Sequence, residues 1–380
     1  MKLLHTADWH IGRRLHGFDL TDEQQNAFDQ IERIAQAEQV DGMIIAGDLY
    51  DRRLPSEASV AMVDEMLQKL NLVDQLPIYA VSGNHDSATR LATGTPWFKS
   101  TQLYLHTELS QAFNPVELAD TQLFLCPYFE PFDAQQYFKD DSLQHLDQAF
   151  KRVVLEMKKK FDPAKKHLLV AHFFAAGSST TDSETNLTVG GLAAVPTDLL
   201  TDFDYVALGH LHGKDALQTP TVRYSGSPVK FSLSEANQEK GVWIVDTEKS
   251  PVALTFKPIT PIHDVKQVTG SFDELMASAD DESIDHENYV GITLTDKQPI
   301  PNVMARLRDV FPRIVTLGRA DGFEAQVRYQ GESSQQIRQK SPMALLGDFY
   351  QKIAKEPLSP QQEKWAKTAL KAAHEEETQA

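Results

Sequence analysis

Cysteine is almost missing: the 380-residue chain has one, Cys126. One thiol cannot close an internal disulfide, so the fold does not depend on an oxidising compartment. Cys126 ends the apolar run 123–126, where a thiol serves as a small buried hydrophobe. No apolar run reaches the roughly 18 residues of a membrane-spanning helix, so no membrane partner is expected. The opening ten residues carry too short an apolar stretch for a secretory leader, which makes the cytoplasm the expected location. Basic charge is in deficit as well: 37 Lys and Arg face 54 Asp and Glu, a net charge of −17. That balance argues against a protein that grips nucleic acid through a broad basic surface of its own. If DNA is the substrate, divalent cations and a basic partner subunit must offset the field. Repeats and low-complexity tracts are missing too. What remains is a soluble globular composition, too long for a single core and suited to two domains with an extension.

Residues 1–255 alternate short β-rich runs with helical spacing. Strands are expected at 2–6, 42–46, 78–81, 123–126, 167–171, 205–208, 222–224, 242–245 and 253–257. Helices are expected from about 22 to 38, where Phe28, Ile31, Ile34 and Ala35 share a face, and over 56–70 with Ser56 as N-cap. Strand–helix alternation early and hairpin-like strands late predict an α/β fold, two sheets layered with helices, the second sheet the more antiparallel. Pro258 and Pro261 mark a linker. Residues 262–330 read as a small α/β module, with strands at 265–268, 289–294 and 313–317, helices at 271–279 and 303–310, and an acidic loop at 279–287. The segment 336–380 is expected to be helical. Leu345, Leu346, Phe349, Tyr350 and Ile353 form one apolar stripe, and Trp365 and Leu370 belong to a second amphipathic stretch. Helices detached from a core must bury such stripes against a partner or against the chain's own domains.

Five short motifs follow strands, where ligands collect in sheets of this kind. Asp8-Trp9-His10 puts a carboxylate and an imidazole on one side of an extended segment. Gly47-Asp48-Leu49-Tyr50-Asp51-Arg52 offers a sharp turn and a carboxylate able to bridge two cations. Gly83-Asn84-His85-Asp86 adds a neutral amide oxygen and a histidine that can hold a proton, and it is the most specific of the five. His172 ends a strand, and Gly209-His210-Leu211-His212 supplies two further imidazoles at a spacing of two. Singly, Asp8/His10 is commonplace and His172 is a weak signal; it is the order of all five that points to chemistry. Asp8, His10, Asp48, Asn84, His172, His210 and His212 form a mixed oxygen and nitrogen donor set without thiolate, suited to Mn²⁺, Fe²⁺ or Zn²⁺. Seven donors with one bridging carboxylate suit two ions about 3.5–4 Å apart. His85 then acts as general acid or charge stabiliser. The other histidines read as surface or packing residues, with His16 an outside candidate because it closely follows the first motif. Lys158–Lys160 and Lys165–Lys166 read as a solvated face.

This ordered pattern resembles the calcineurin-like metallophosphoesterase superfamily. The stretches Leu4 to Gly12, Ala46 to Arg52, Tyr224-Ser225-Gly226-Ser227-Pro228-Val229, Phe231-Ser232 and Lys240-Gly241 are similar to its SbcD family. The resemblance implies a layered two-sheet metallophosphoesterase nuclease domain over 1–257, a capping domain over 262–330 and a partner-binding helical segment over 336–380. It implies two manganese ions, one on Asp8, His10, Asp48 and His212 and the other on Asp48, Asn84, His172 and His210, with His85 catalytic. It further implies exonuclease action on duplex ends and endonuclease action on single strands and hairpins, in DNA repair, recombination and replication. The partner it implies is an SbcC-type ATPase in a heterotetramer, with a homodimer of this chain built on helix 56–70 or loop 89–98. Two other readings of the motifs stay open. A small-ester phosphatase needs no second domain or docking helices, and a metal-binding scaffold has no use for His85.

Overall fold

Met43, Ile44 and Ile45 are all fully buried, as a strand covered on both faces requires. The structure, a computed structural model, describes residues 1–184, 194–281 and 283–320 and scattered positions from 343 to 368. The chain divides into two units, one of Met1–Gln267 with Glu287–Val290, the other of Val268–His286 with Gly291–Ala380. Strands of the larger unit are β1 (Lys2–Thr6), β2 (Gly42–Ala46), β3 (Ile78–Val81), β4 (Leu103–His106), β5 (Val116–Glu117), β6 (Thr121–Cys126), β7 (Lys166–His172), β8 (Tyr205–Gly209), β9 (Val222–Tyr224), β10 (Gly241–Asp246) and β11 (Ala253–Pro258). They form a six-stranded sheet, β11-β10-β1-β2-β3-β4, and a five-stranded sheet, β9-β8-β7-β6-β5.

The second sheet is not the more antiparallel one. Strands β6 to β9 are parallel, and only β5 runs against its neighbour β6. The antiparallel hairpin β10–β11 joins the first sheet instead, against β1. The cause lies between β6 and β7, where the chain forms helices α3 (Pro131–Phe138) and α4 (Leu146–Lys158). A helical crossover is what allows consecutive strands to run parallel.

Alternation along the strands assigns each residue to a layer. Leu123, Leu125, Leu168, Val170, Tyr205 and Ala207 face inward, where they share one core with Leu3, Ile44, Ala46, Tyr79 and Val81 of the first sheet. Their neighbours Phe124, Cys126, Leu169, Ala171, Val206 and Leu208 face outward and pack on Phe150, Val153, Val154 and Met157 of α4. Cys126 is thus a buried core residue, and burial pushes its thiol up to about 12. Helix α1 (Thr21–Glu38) buries Ala27, Phe28, Ile31 and Ala35 at helical spacing. Ser56 caps helix α2 (Glu57–Gln68) by accepting from the Ser59 amide at 3.1 Å. The stretch expected as a linker is anchored on α1: Asn26 and Gln30 donate to the Thr260 carbonyl, and Glu23 accepts from the amides of Ile262 and His263.

In the smaller unit, Ser271 and Glu274 close a capping box on α5 (Phe272–Ala277). The Arg306 guanidinium lies 4.2 Å over the Phe272 ring, and Arg319 donates to the carbonyls of Asp296 and Gln298. Asp280, Asp281 and Asp285 are exposed, in keeping with an acidic loop. Of the helical stripe, Leu345, Phe349, Ile353 and Leu370 lie outside the described residues, as does 321–330 of the expected module. Trp365 is exposed. No helix among the described residues is long and apolar enough to cross a membrane.

One polar residue joins the two sheets through the inner layer. His5 on β1 is fully buried and meets Tyr205 Oη at 2.9 Å and the Leu208 carbonyl at 3.2 Å, both on β8. A carbonyl only accepts, so Nε2 carries the hydrogen and Nδ1 accepts from Tyr205. Burial lowers the imidazole to about 3. Because its native value lies below the ordinary 6.5, the unfolded chain takes up the proton first, and stability falls as pH drops from about 6.5 towards 3. From pH 7.5 to 5 this one group removes about 2 kcal/mol. Urea midpoints at the two pH values should therefore lie closer together in His5→Gln than in the parent, and an equal separation would refute the assignment.

Candidate metal centre

Each of the five motifs lies at the carboxyl end of its strand, and the two sheets bring these ends together. Asp8 and His10 follow β1, Asp48 follows β2, Asn84 and His85 follow β3, His172 ends β7, and His210 and His212 follow β8. The first two loops are zipped by their backbones: the Asp8 amide donates to the Gly47 carbonyl and the His10 amide to the Asp48 carbonyl, both at 3.0 Å. Between the sheets, the His210 amide donates to Asp8 Oδ1 at 2.9 Å, and His172 Nδ1 donates to the Ala46 carbonyl at 2.8 Å. Such closeness requires glycine. A Cβ on Gly209 would lie 2.0 Å from the Ala46 oxygen, and one on Gly47, whose φ is +92°, would lie 2.4 Å from His172 Nδ1. Asp8, His10, Asp48 and His210 also adopt positive φ, at +54°, +44°, +53° and +98°. Strain of this kind, about 1–3 kcal/mol per residue, persists only where the surroundings over-determine the backbone.

All seven expected donors come together, in two groups that share Asp48. His10 Nε2 is 3.1 Å from His212 Nε2 and 3.5 Å from Asp48 Oδ2. Asn84 Oδ1 lies 2.9 Å from both His172 Nε2 and His210 Nδ1, and His172 Nε2 is 3.3 Å from Asp48 Oδ2. Asp8, His10 and Asp48 offer donor atoms within 4.8 Å of one another. Asn84 is half-buried and the other six are buried. His85 stands at the rim: its ring lies 4.7 Å from that of His10, its amide donates to Asp48 Oδ1, and its Nδ1 donates to the Asp51 carbonyl at 2.7 Å.

The electrostatics fit a cation. Burial drives the Asp8 carboxyl well above the usual carboxylate range, and Asp48 adds to it. Burial lowers His10 well below its ordinary value and His210 to about 3, so both are neutral and able to ligate. At His172, burial opposes charge, but Asp48 and Asp8 outweigh it and hold the imidazolium to about 9. Asp8 Oδ2 and His10 Nδ1 are buried without a hydrogen-bond partner among the described residues. An unpaired buried carboxylate oxygen amid nitrogen donors is what a metal ion would satisfy.

Several supporting residues are not evident in the sequence. Asp86, known from its motif but not given a task there, accepts from the amides of Leu49, Tyr50 and Gly83 and so ties the second motif to the third. Burial, then Asp48, raises its carboxyl to about 6. Behind His212 stand Ser183, Glu184, Glu235 and Lys240. Glu184 Oε1 accepts from the His212 amide at 2.8 Å, and the Lys240 ammonium donates to the His212 carbonyl at 2.8 Å. Only Lys240 carried a signal, through the Lys240-Gly241 pair. His16 sits exposed in the turn between strand residues Leu15 and Phe18. His167 stacks on Phe161, His263 pairs with Glu23, and His374 lies outside the described residues. Three lysines of the two basic runs form ion pairs, Lys158 with Asp202, Lys159 with Glu156 and Lys165 with Glu117.

Residues 1–214 match the calcineurin-like phosphoesterase family, which defines the class. Residues 261–353 match a second family, described as the type 5 capsule protein repressor C-terminal domain and abbreviated as the SbcD C-terminal family. The SbcD component of the nuclease SbcCD from Staphylococcus epidermidis is 32% identical over 360 residues, covering 94% of this chain and 95% of the relative. The chain belongs to the SbcD family of calcineurin-like phosphoesterases. Among solved structures, a dimetal phosphatase from Danio rerio matches at 11% identity with a TM-score of 0.39, over 69% of this chain and 97% of its own. A phosphoesterase from E. coli matches at 12% identity with a TM-score of 0.25, over 68% and 100%.

Gly209→Ala tests the close approach on which the centre depends. The added methyl meets backbone rather than a movable side chain, so a loss of about 3 kcal/mol is expected in urea unfolding. A change below about 0.5 kcal/mol would mean that the sheets do not approach this closely.

Proposed function

We propose that this chain is the nuclease subunit of an SbcCD-type complex, a metal-dependent phosphodiester hydrolase acting on DNA ends in repair, recombination and replication. It works as an exonuclease on duplex ends and an endonuclease on single strands and hairpins. The observation that carries the reading is the meeting of Asp8, His10, Asp48, Asn84, His172, His210 and His212 at one point, in a chain of the SbcD family. Two Mn²⁺ ions are the cofactor, one held by Asp8, His10, Asp48 and His212, the other by Asp48, Asn84, His172 and His210. The short distances among the histidines, Asn84 and Asp48 support this division, as does the clustering of Asp8 with His10 and Asp48. When bound, such ions supply an activated water, grip phosphate oxygens and balance developing charge.

The chain's own side chains do the rest. Asp48 holds the two donor groups at a common carboxylate. His85, with Nδ1–H committed to the Asp51 carbonyl, has Nε2 as the atom that takes up a proton and passes it to the leaving oxygen. Residues 1–257 form the nuclease domain, 262–330 the capping domain and 336–380 the helical segment that docks on an SbcC-type ATPase. The assembly is a heterotetramer built on a homodimer of this chain, in the cytoplasm. A basic partner also accounts for a DNA enzyme with a net charge of −17.

The test is cleavage of a labelled duplex and a labelled hairpin with Mn²⁺, with and without the co-expressed ATPase, beside a chromogenic phosphodiester. Asp48→Ala should abolish cleavage. His85→Gln should lower it about 100-fold or more while Mn²⁺ still binds. Turnover of the small ester with no cleavage of DNA under any condition would overturn the nuclease reading.

A further inference from the structure

We propose that Ser183, braced by Glu235 and Lys240, is a positioning residue that locks the tautomer of His212 and so controls one of the two cation positions. The inference rests on the metal reading above. His212 Nδ1 lies 2.6 Å from Ser183 Oγ, and Ser183 Oγ lies 2.6 Å from Glu235 Oε1. The other Glu235 oxygen is 2.5 Å from the Lys240 ammonium. Glu235 and Lys240 are fully or almost fully buried.

A carboxylate paired with an ammonium only accepts, and a serine hydroxyl has one hydrogen to give. Two oxygens 2.6 Å apart need that hydrogen between them, so Ser183 donates to Glu235. What Ser183 then presents to His212 is a lone pair, and Nδ1 must be the protonated ring nitrogen. The opposite tautomer would set two lone pairs against each other at 2.6 Å. Nε2, the atom 3.1 Å from His10 Nε2, is thereby left with its lone pair towards the donor cluster. Neighbours hold the serine in place. Arg13 Nη2 donates to the Ser183 carbonyl at 2.5 Å, with its guanidinium 5.0 Å over Phe231.

His172 offers the internal control. Its Nδ1–H goes to the main-chain carbonyl of Ala46, a partner that no substitution removes. The two donor groups therefore use different locks, one of backbone and one of side chain. Loss of the Ser183 hydroxyl should weaken one ion and spare the other.

Mn²⁺ titration of the full chain by calorimetry reads this without any turnover. Ser183→Ala should weaken one of two binding events about 10- to 100-fold and leave the second unchanged, and Ser183→Thr should restore the first. Nitrogen-15 NMR of the cation-free parent should show the His212 ring protonated at Nδ1. Parent-like affinity at both positions in Ser183→Ala, or a ring protonated at Nε2 in the parent, would overturn the lock. If the parent binds no Mn²⁺ at all, the metal reading falls, and the NMR result alone decides whether the tautomer is set as argued.

Discussion

Everything at the centre depends on how closely two sheets can approach at one end. Along most of their length they are separated by an ordinary apolar layer, with Leu3, Ile44 and Val81 facing Leu125, Val170 and Ala207. At the carboxyl ends that layer gives way to polar contacts. Ala46 offers its carbonyl to His172, Asp8 takes the amide of His210, and Gly209 has no side chain with which to push the sheets apart. His5, one layer further in, holds the same two strands, β1 and β8, at a fixed separation. Backbone atoms do much of this work, so the geometry withstands many side-chain changes while leaving almost no room for a larger residue at the contact.

The cost of this arrangement is visible in the backbone. Four of the seven donors occupy the left-handed region, which residues with a side chain seldom adopt. Two carboxylates are buried together, and one of them is driven towards its neutral form. Both features destabilise the folded chain on their own. They are tolerated because hydrogen bonds from neighbouring loops over-determine the positions, and because a cation would convert repulsion between the acids into attraction.

Much of this was legible from residue order. Strands with both faces buried announce themselves as continuous apolar runs, and the motif loops stand where those runs stop. The direction of the second sheet was not legible, because it turns on helices α3 and α4. The pattern for α4 was present in Leu146, Ala149, Phe150, Val153, Val154 and Met157, but without that helix the later strands look like hairpins. The support of His212 was hidden for a different reason. Ser183 is one of several serines and threonines in its stretch, and its partners lie 29 and 52 residues away. No local pattern marks a residue whose task is defined only by what the fold brings to it.

The distribution of the donors along the chain has a further consequence. Asp8, His10, Asp48 and Asn84 come from the first quarter of the sequence, whereas His172, His210 and His212 come from near its middle. During synthesis, the early strands emerge with four of the seven donors, and no stretch that ends before His212 has them all. A fragment that ends before His212 therefore lacks part of the donor set, and the centre is complete only once both sheets are assembled.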